Sequence, residues 1–220
     1  MYADIRGIRL YYEVIGSGRP MLMLHGNGED HTIFQEAADV LSRQFACYLI
    51  DTRDHGKSTA VKDLHYVDMA EDVIAFLEKL DLRDAVLYGF SDGGIVGLLA
   101  AAQTDRISTL IVSGANLTPM GIKLWERLKM RVEYLFRKDP KLALMLNEPY
   151  ISDDILARIR ADTLVLAGDS DVIYEEETRH IADAISGAEL QILEDENHGS
   201  YIVHSEKIAK LIIDYCRTSR

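Results

Sequence analysis

Along most of this chain, short β-prone apolar runs alternate with segments in which apolar residues recur every three or four positions. Ile8 to Ile15 is β-rich and ends at the turn Gly16-Ser17-Gly18-Arg19-Pro20. Met21 to Leu24 is continuously apolar, the pattern of a central parallel strand covered on both faces. Thr32 to Gln44 repeats apolar positions at helical spacing (Phe34, Ala37, Ala38, Leu41), and Ala46 to Ile50 reads as a strand followed by a polar loop from Asp51 to Asp63. Val67 to Leu80 places Met69, Val73, Phe76, Leu77 and Leu80 on one helical face. A strand at Asp84 to Tyr88, an apolar helix from Gly94 to Thr104 and a strand at Ile107 to Ser113 follow. The pattern resumes with a strand at Thr163 to Ala167, a helix at Glu175 to Ile185, a strand at Glu189 to Leu193 and a closing helix at Glu206 to Cys216. Such alternation predicts an α/β fold: a mostly parallel, doubly wound sheet of about eight strands with helices on both faces.

Between Gly114 and Ile159 the alternation breaks. Leu124 to Phe136 sets Trp125, Leu128, Val132, Leu135 and Phe136 on one helical face, and Pro140, Pro149 and Ser152 punctuate two further short helices. The organisation expected is therefore a core of residues 1–114 and 160–220 with a small helical cap, 115–159, inserted into it. The apolar stripe of the cap is expected to pack mostly onto the body, with Trp125, Leu128 and Tyr134 as candidates for a substrate pocket.

The net charge of −12 over 220 residues argues against nucleic acid, which requires clustered lysine and arginine. Cys47 and Cys216 lie far apart and lack metal-ligand spacing, so neither a disulfide nor a metal is expected. No apolar run approaches the roughly 18 residues of a membrane span. The first residues, Met1-Tyr2-Ala3-Asp4-Ile5-Arg6, carry no secretory pattern, so a cytoplasmic protein is expected and the glycosylation match at Asn116-Leu117-Thr118 is idle. Gly56-Lys57-Ser58-Thr59 echoes the end of a P-loop, but the first glycine of that motif would fall on Asp51. No cofactor is implied. The expected partner is a small-molecule substrate, without nucleic acid or membrane, and oligomeric state is left open.

The chemistry concentrates at Gly89-Phe90-Ser91-Asp92-Gly93, a G-x-S-x-G between a predicted strand and a predicted helix. A serine on that turn is held in strained backbone geometry that presents its Oγ to substrate. A serine hydroxyl needs a base, and the base needs a third group to fix its tautomer. Of the seven histidines, only His198 lies downstream of the serine in a loop directly after a predicted strand; His180 and His204 read as surface residues. The acid belongs after the preceding strand, where Gly168-Asp169-Ser170-Asp171 offers two carboxylates. With the strand ending at Ala167, Asp169 falls in the turn itself, and Asp171 has the reach to His198.

These segments together resemble the α/β-hydrolase family over nearly the whole chain. His25-Gly26-Asn27-Gly28 is similar to the family's oxyanion turn, and Asp51-Thr52-Arg53-Asp54-His55-Gly56-Lys57-Ser58 to its D-x-R-G-x-G-x-S loop. Gly89 to Gly94 matches the elbow, Gly168-Asp169-Ser170-Asp171 the G-x-x-D acid turn, and Asn197-His198-Gly199 the histidine loop. The resemblance implies a triad of Ser91, His198 and Asp171, with the oxyanion held by the backbone N–H groups of Asn27 and Asp92. It makes His25, Arg53 and His55 structural. Asp54 departs from the pattern by standing at a family glycine position, and aspartate is among the few residues that tolerate a positive φ there. The Asp92 side chain either faces the pocket, where it would favour a cationic group, or serves the start of the following helix; the second is favoured. The implied activity is hydrolysis of a small carboxylic ester, thioester or lactone through an acyl-enzyme. The alternatives are carbon–carbon bond hydrolysis of a diketone, which pocket arginines such as Arg127 or Arg131 would favour, and ligand sensing on the same fold.

Overall fold

The computed structural model describes residues 1–218. Eight strands form one sheet: β1 (Tyr2–Ile5), β2 (Ile8–Gly16), β3 (Arg19–Leu24), β4 (Phe45–Ile50), β5 (Ala85–Phe90), β6 (Ile107–Ser113), β7 (Asp162–Ser170) and β8 (Glu189–Asn197), in the order β1-β2-β4-β3-β5-β6-β7-β8. The β1–β2 and β2–β4 pairs are antiparallel, and every pair from β4 to β8 is parallel. Met21, Leu22, Met23 and Leu24 are fully buried, as a strand covered on both faces requires.

The helices are α1 (Gln35–Leu41), α2 (Tyr66–Lys79), α3 (Asp92–Ala101), α4 (Leu124–Arg137), α5 (Pro140–Asn147), α6 (Asp153–Leu156), α7 (Glu175–Ala184) and α8 (Lys207–Thr218). Ala37, Ala38 and Leu41 of α1 and Ile208, Ala209 and Ile212 of α8 pack on one face of the sheet, around Met21, Met23, Val86 and Tyr88. On the other face α2, α3 and α7 bury Val73, Phe76, Val96 and Ile181 around Leu22, Leu87 and Leu110. From β3 the chain moves outward through α1 to β4, then returns through α2 to β5 on the opposite side of β3. The carboxyl ends of β3 and β5 thus flank a topological switch point, where such sheets bind their ligands.

Several elements differ from expectation for identifiable reasons. Tyr2–Ile5 pairs as an edge strand, its main chain supported by Tyr11 and Arg9 of β2, a tertiary contact that four residues alone do not signal. The helix expected from Thr32 opens with a 3-10 turn at His31–Phe34, capped by the Asp30 carboxylate on the Thr32 amide, and α1 starts only at Gln35. Strand β7 continues past Ala167 through Asp169 to Ser170, with a register shift against β8. Asp169 therefore lies at the end of the strand, where its Oδ2 accepts from the Asp195 amide at 3.1 Å.

The segment between β6 and β7 holds α4, α5 and α6. It docks through its ends: the Glu177 carboxylate accepts from the amides of Leu117 and Thr118, and Ile122 bridges to Ile173 beside the acid turn. The outer stripe of α4 does not pack onto the body as expected. Trp125, Val132, Leu135 and Phe136 are exposed, and the helix turns Glu126 and Met130 inward instead.

Candidate active site

Strand β5 delivers Ser91 at the turn into α3 with φ 53° and ψ −115°, a strained conformation for a residue with a side chain. The flanking glycines are required by close approach. A Cβ on Gly93 would lie 2.1 Å from the Leu24 carbonyl, and one on Gly89 would lie 2.2 Å from the Gly93 carbonyl. Strand β8 ends at Asn197, so His198 stands immediately beyond it, in a turn closed by the Asn197 Oδ1, which accepts from the amides of Gly199 and Ser200. Asp171 follows β7 and is buried.

These three side chains meet across sequence separations of 107 and 27 residues: His198 Nε2 lies 3.1 Å from Ser91 Oγ, and His198 Nδ1 lies 2.7 Å from Asp171 Oδ1. With Nδ1–H donated to the carboxylate, Nε2 carries the lone pair that faces the serine hydroxyl. Asp171 Oδ1 also accepts from the Ile173 amide at 2.9 Å, which fixes the carboxylate within its own turn. Asp169 points away from this group.

Asn27, after β3, and Asp92, the first residue of α3, border the serine across the switch point. As the first helical residue, Asp92 has an amide without an intrahelical partner. The side chains of the two residues are linked, Asn27 Nδ2 donating to Asp92 Oδ2 at 2.8 Å, and the Tyr66 hydroxyl donates to Asp92 Oδ1 at 2.8 Å. Burial pushes the Asp92 carboxyl up to about 6, while these two donors pull the other way. Both readings of its side chain are thus realised in part: Asp92 opens α3, and it also borders the cavity.

His25 is buried, with Nδ1 donating to the Gly26 carbonyl and Nε2 accepting from the Thr52 amide at 3.1 Å. Burial holds it down to about 4, so it stays a neutral brace between the loops after β3 and β4. Arg53 forms two bonds to the buried Asp72 carboxylate, at 2.7 and 2.8 Å. Asp54 adopts φ 62°, the left-handed conformation for which the family's glycine is suited. His55 is buried with Nδ1 on the Arg53 carbonyl. His180 and His204 are exposed and pair with Asp153 and Glu36.

A cavity of about 230 Å³ opens above Ser91. Its apolar walls include Phe90, Ile122, Met130, Met145 and Ile173, and its polar lining includes Glu29, Asn116 and Glu126. Trp125, Leu128 and Tyr134 do not line it: Trp125 is 74% exposed, and Tyr134 is half-buried with the Lys138 ammonium over its ring. Helical phase explains the difference, because Glu126 and Met130 are one turn apart on the side opposite the apolar stripe. Sequence reasoning missed Glu29, which directly follows Gly28 and whose Oε2 accepts from the Gly26 amide at 2.9 Å. It also missed Gly114, packed against the histidine ring.

A doubly wound sheet carrying a strained serine after β5, a carboxylate after β7 and a histidine after β8 is the arrangement of the hydrolase class of α/β proteins. The chain belongs to the alpha/beta hydrolase fold family, whose sequence profile matches residues 19–145. It is 26% identical to the AB hydrolase superfamily protein YisY of Bacillus subtilis, over 94% of this chain and 95% of that protein. That alignment spans 257 positions, more than the 220 residues of this chain, so the relative contains segments absent here. A pimeloyl-[acyl-carrier protein] methyl ester esterase of Vibrio cholerae is 31% identical over 49% of this chain, a match that spans 41% of the esterase. Among solved structures, the esterase EaEST of Exiguobacterium antarcticum superposes with a TM-score of 0.87 at 22% identity, covering 99% of both chains.

Proposed function

We propose that this protein is a serine hydrolase that cleaves a small carboxylic ester through an acyl-enzyme. The observation that carries the reading is the contact of His198 Nε2 with Ser91 Oγ at 3.1 Å, with Nδ1 tethered to Asp171 at 2.7 Å. Ser91 Oγ attacks the ester carbonyl while His198 Nε2 takes its proton, and Asp171 holds the ring and stabilises the imidazolium. The tetrahedral oxyanion rests on the backbone N–H groups of Asn27 and Asp92. Losing one such donor typically costs about 10²- to 10³-fold in rate. His198 then protonates the departing alkoxide, and a water molecule repeats the sequence to release the acid and free Ser91. The esterases among the relatives support this substrate class.

Carbon–carbon bond hydrolysis calls for carboxylate-binding arginines, and neither candidate lines the cavity. Arg127 donates to the carbonyls of Pro119, Met120 and Ile122, and Arg131 is exposed. The test is labelling by a fluorophosphonate together with hydrolysis of p-nitrophenyl esters from acetate to octanoate, with Ser91→Ala beside the native protein. Stoichiometric labelling and turnover that both vanish in Ser91→Ala are expected. Labelling that persists in Ser91→Ala would overturn the nucleophile.

A further inference from the structure

The titratable side chains that line the cavity are Glu29, Asp92, Glu126 and His198: three carboxylates and a histidine, with no lysine or arginine. A net charge of −12 does not by itself explain this, because most acidic residues of the chain stand in water, whereas Asp92 and Glu29 are withdrawn from it and Glu126 is partly so. Asp92 is buried and Glu29 is half-buried. Among the described residues no lysine or arginine pairs with either of them. Carboxylates removed from water are ordinarily paired, since desolvation disfavours the charged form. Burial raises the Glu29 carboxyl accordingly, with the Gly26 amide opposing.

The cations nearest the cavity are committed elsewhere. Lys123 donates to the Asp171 carbonyl, and Lys141 pairs with Asp54 at 2.6 Å. Glu126 holds the Lys129 ammonium at 2.8 Å through one oxygen, but Lys129 is 71% exposed, so water screens that pair. Asp92 has both oxygens occupied by Asn27 and Tyr66 and contributes its field. Glu29 and Glu126 are thus the two lining carboxylates with an oxygen free of these bonds. The apolar part of the wall is thioether, aromatic and aliphatic: Met130, Met145, Phe90 and Ile122. Soft, polarizable and aromatic walls beside carboxylates suit a weakly hydrated alkylammonium and repel a carboxylate.

We propose that the cavity selects esters bearing an alkylammonium group, with Glu29 and Glu126 as the side chains that read the positive charge. This deepens the serine-esterase reading and rests on it for turnover. The comparison uses pairs of esters equal in shape and different in charge. Acetylcholine and 3,3-dimethylbutyl acetate place the cation on the alcohol side. The methyl ester of 4-(trimethylammonio)butyrate and methyl 5,5-dimethylhexanoate place it on the acyl side. In at least one pair, kcat/KM is expected to favour the cation by about tenfold or more at low ionic strength. That ratio should fall severalfold in Glu126→Gln and in Glu29→Gln. Both esters of a pair are measured on one preparation, so the ratio does not depend on the folded fraction. Ratios at or below one in both pairs, or ratios unmoved by both substitutions, would overturn the proposal.

Failure of the hydrolase reading is seen separately, as absence of fluorophosphonate labelling and of p-nitrophenyl acetate turnover. In that event tetramethylammonium, titrated calorimetrically into Ser91→Ala at constant ionic strength, decides the charge reading alone. Binding weakened by Glu126→Gln and Glu29→Gln, each made in the Ser91→Ala protein, upholds it, and no binding overturns it.

Discussion

The carboxylate of Asp54 lies 2.6 Å from the ammonium of Lys141, joining the loop after β4 to helix α5. Asp54 Oδ1 also accepts from the Val61 amide at 3.1 Å, and the Lys141 carbonyl accepts from Asn27 Nδ2 at 3.2 Å. One residue at a family glycine position therefore connects α5 to the residue whose amide is proposed to hold the oxyanion. Both partners are largely removed from solvent, at 22% and 9% side-chain exposure, so the pair is worth more than a surface bridge. A double-mutant cycle of Asp54→Asn and Lys141→Met should give a coupling of about 1 kcal/mol in urea unfolding at low salt, shrinking at high salt. A coupling of zero would mean that the contact does not hold α5 to the loop after β4.

Gly114 has φ 62°, and a Cβ built on it would lie 2.7 Å from His198 Cε1, 2.8 Å from His198 Nδ1 and 3.3 Å from Asp171 Oδ2. Only a residue without a side chain leaves the imidazole where it is. Gly114→Ala should displace the ring from Ser91 and lower kcat at least about a hundredfold, as a misplacement near 1 Å does. KM for a p-nitrophenyl ester should change little, because Gly114 does not line the cavity. The left-handed alanine costs roughly 1–2 kcal/mol of stability, so a melting curve belongs beside the kinetics. Unchanged kcat in a folded Gly114→Ala would show that His198 does not need this position.

His25 and Asp92 push the pH dependence of stability in opposite directions. His25 is held down to about 4 from an ordinary 6.5, so below 6.5 the unfolded chain takes up a proton that the folded protein refuses, and stability falls with pH. Asp92 is raised to about 6 from 3.8, so across that interval the folded protein binds the extra proton, and stability rises as pH falls. Each contributes a slope of up to about 1.4 kcal/mol per pH unit, and between pH 4 and 6 the two nearly cancel. Asp92→Asn should uncover the histidine, and its stability relative to the native protein should fall as pH is lowered from about 6 to about 4. His25→Gln should show the reverse. Denaturant unfolding at half-unit pH intervals reads both, and parallel curves for variant and native protein would refute the assigned shifts.

The sequence was most legible where chemistry requires an invariant local geometry. The strand–serine–helix turn, the apolar run of β3 and the repeat of α2 follow from patterns only a few residues long, and each has its element in the structure. The strand ends were harder, because β7 and β8 extend as polar, partly exposed ladders beyond Ala167 and Leu193. Asp169 was misplaced for that reason. The helical segment between β6 and β7 was the least legible part. The stripe of Trp125, Leu128, Val132, Leu135 and Phe136 is plain in the sequence, but hydrophobic period does not say which side of a helix meets the body. The inward residues, Glu126 and Met130, carry no pattern of their own. Glu29 and Gly114 owe their roles to neighbours distant in sequence, which no local signal carries.

The two acids of the turn after β7 make the sharpest test of the triad. Asp171 Oδ1 accepts from both His198 Nδ1 and the Ile173 amide, while Oδ2 is buried without a hydrogen-bond partner among the described residues. In Asp171→Asn the single oxygen can keep the Ile173 amide. The amide group then either occupies the partnerless position of Oδ2 or turns toward the imidazole. In the second case it donates to Nδ1 and drives the proton to Nε2, where the ring can no longer accept from Ser91. Turned that way, Asp171→Asn loses about 10⁴-fold in kcat, with fluorophosphonate labelling slowed in parallel, and Asp171→Ala loses the acceptor in either case. Asp169 is exposed and among the described residues bonds the Asp195 amide alone, so Asp169→Asn should shift the unfolding free energy by about 0.5 kcal/mol or less and leave kcat near the native value. If Asp169→Asn lowers kcat as much as Asp171→Asn does, or if Asp171→Ala, which removes both oxygens, leaves kcat intact, the orienting carboxylate is not Asp171.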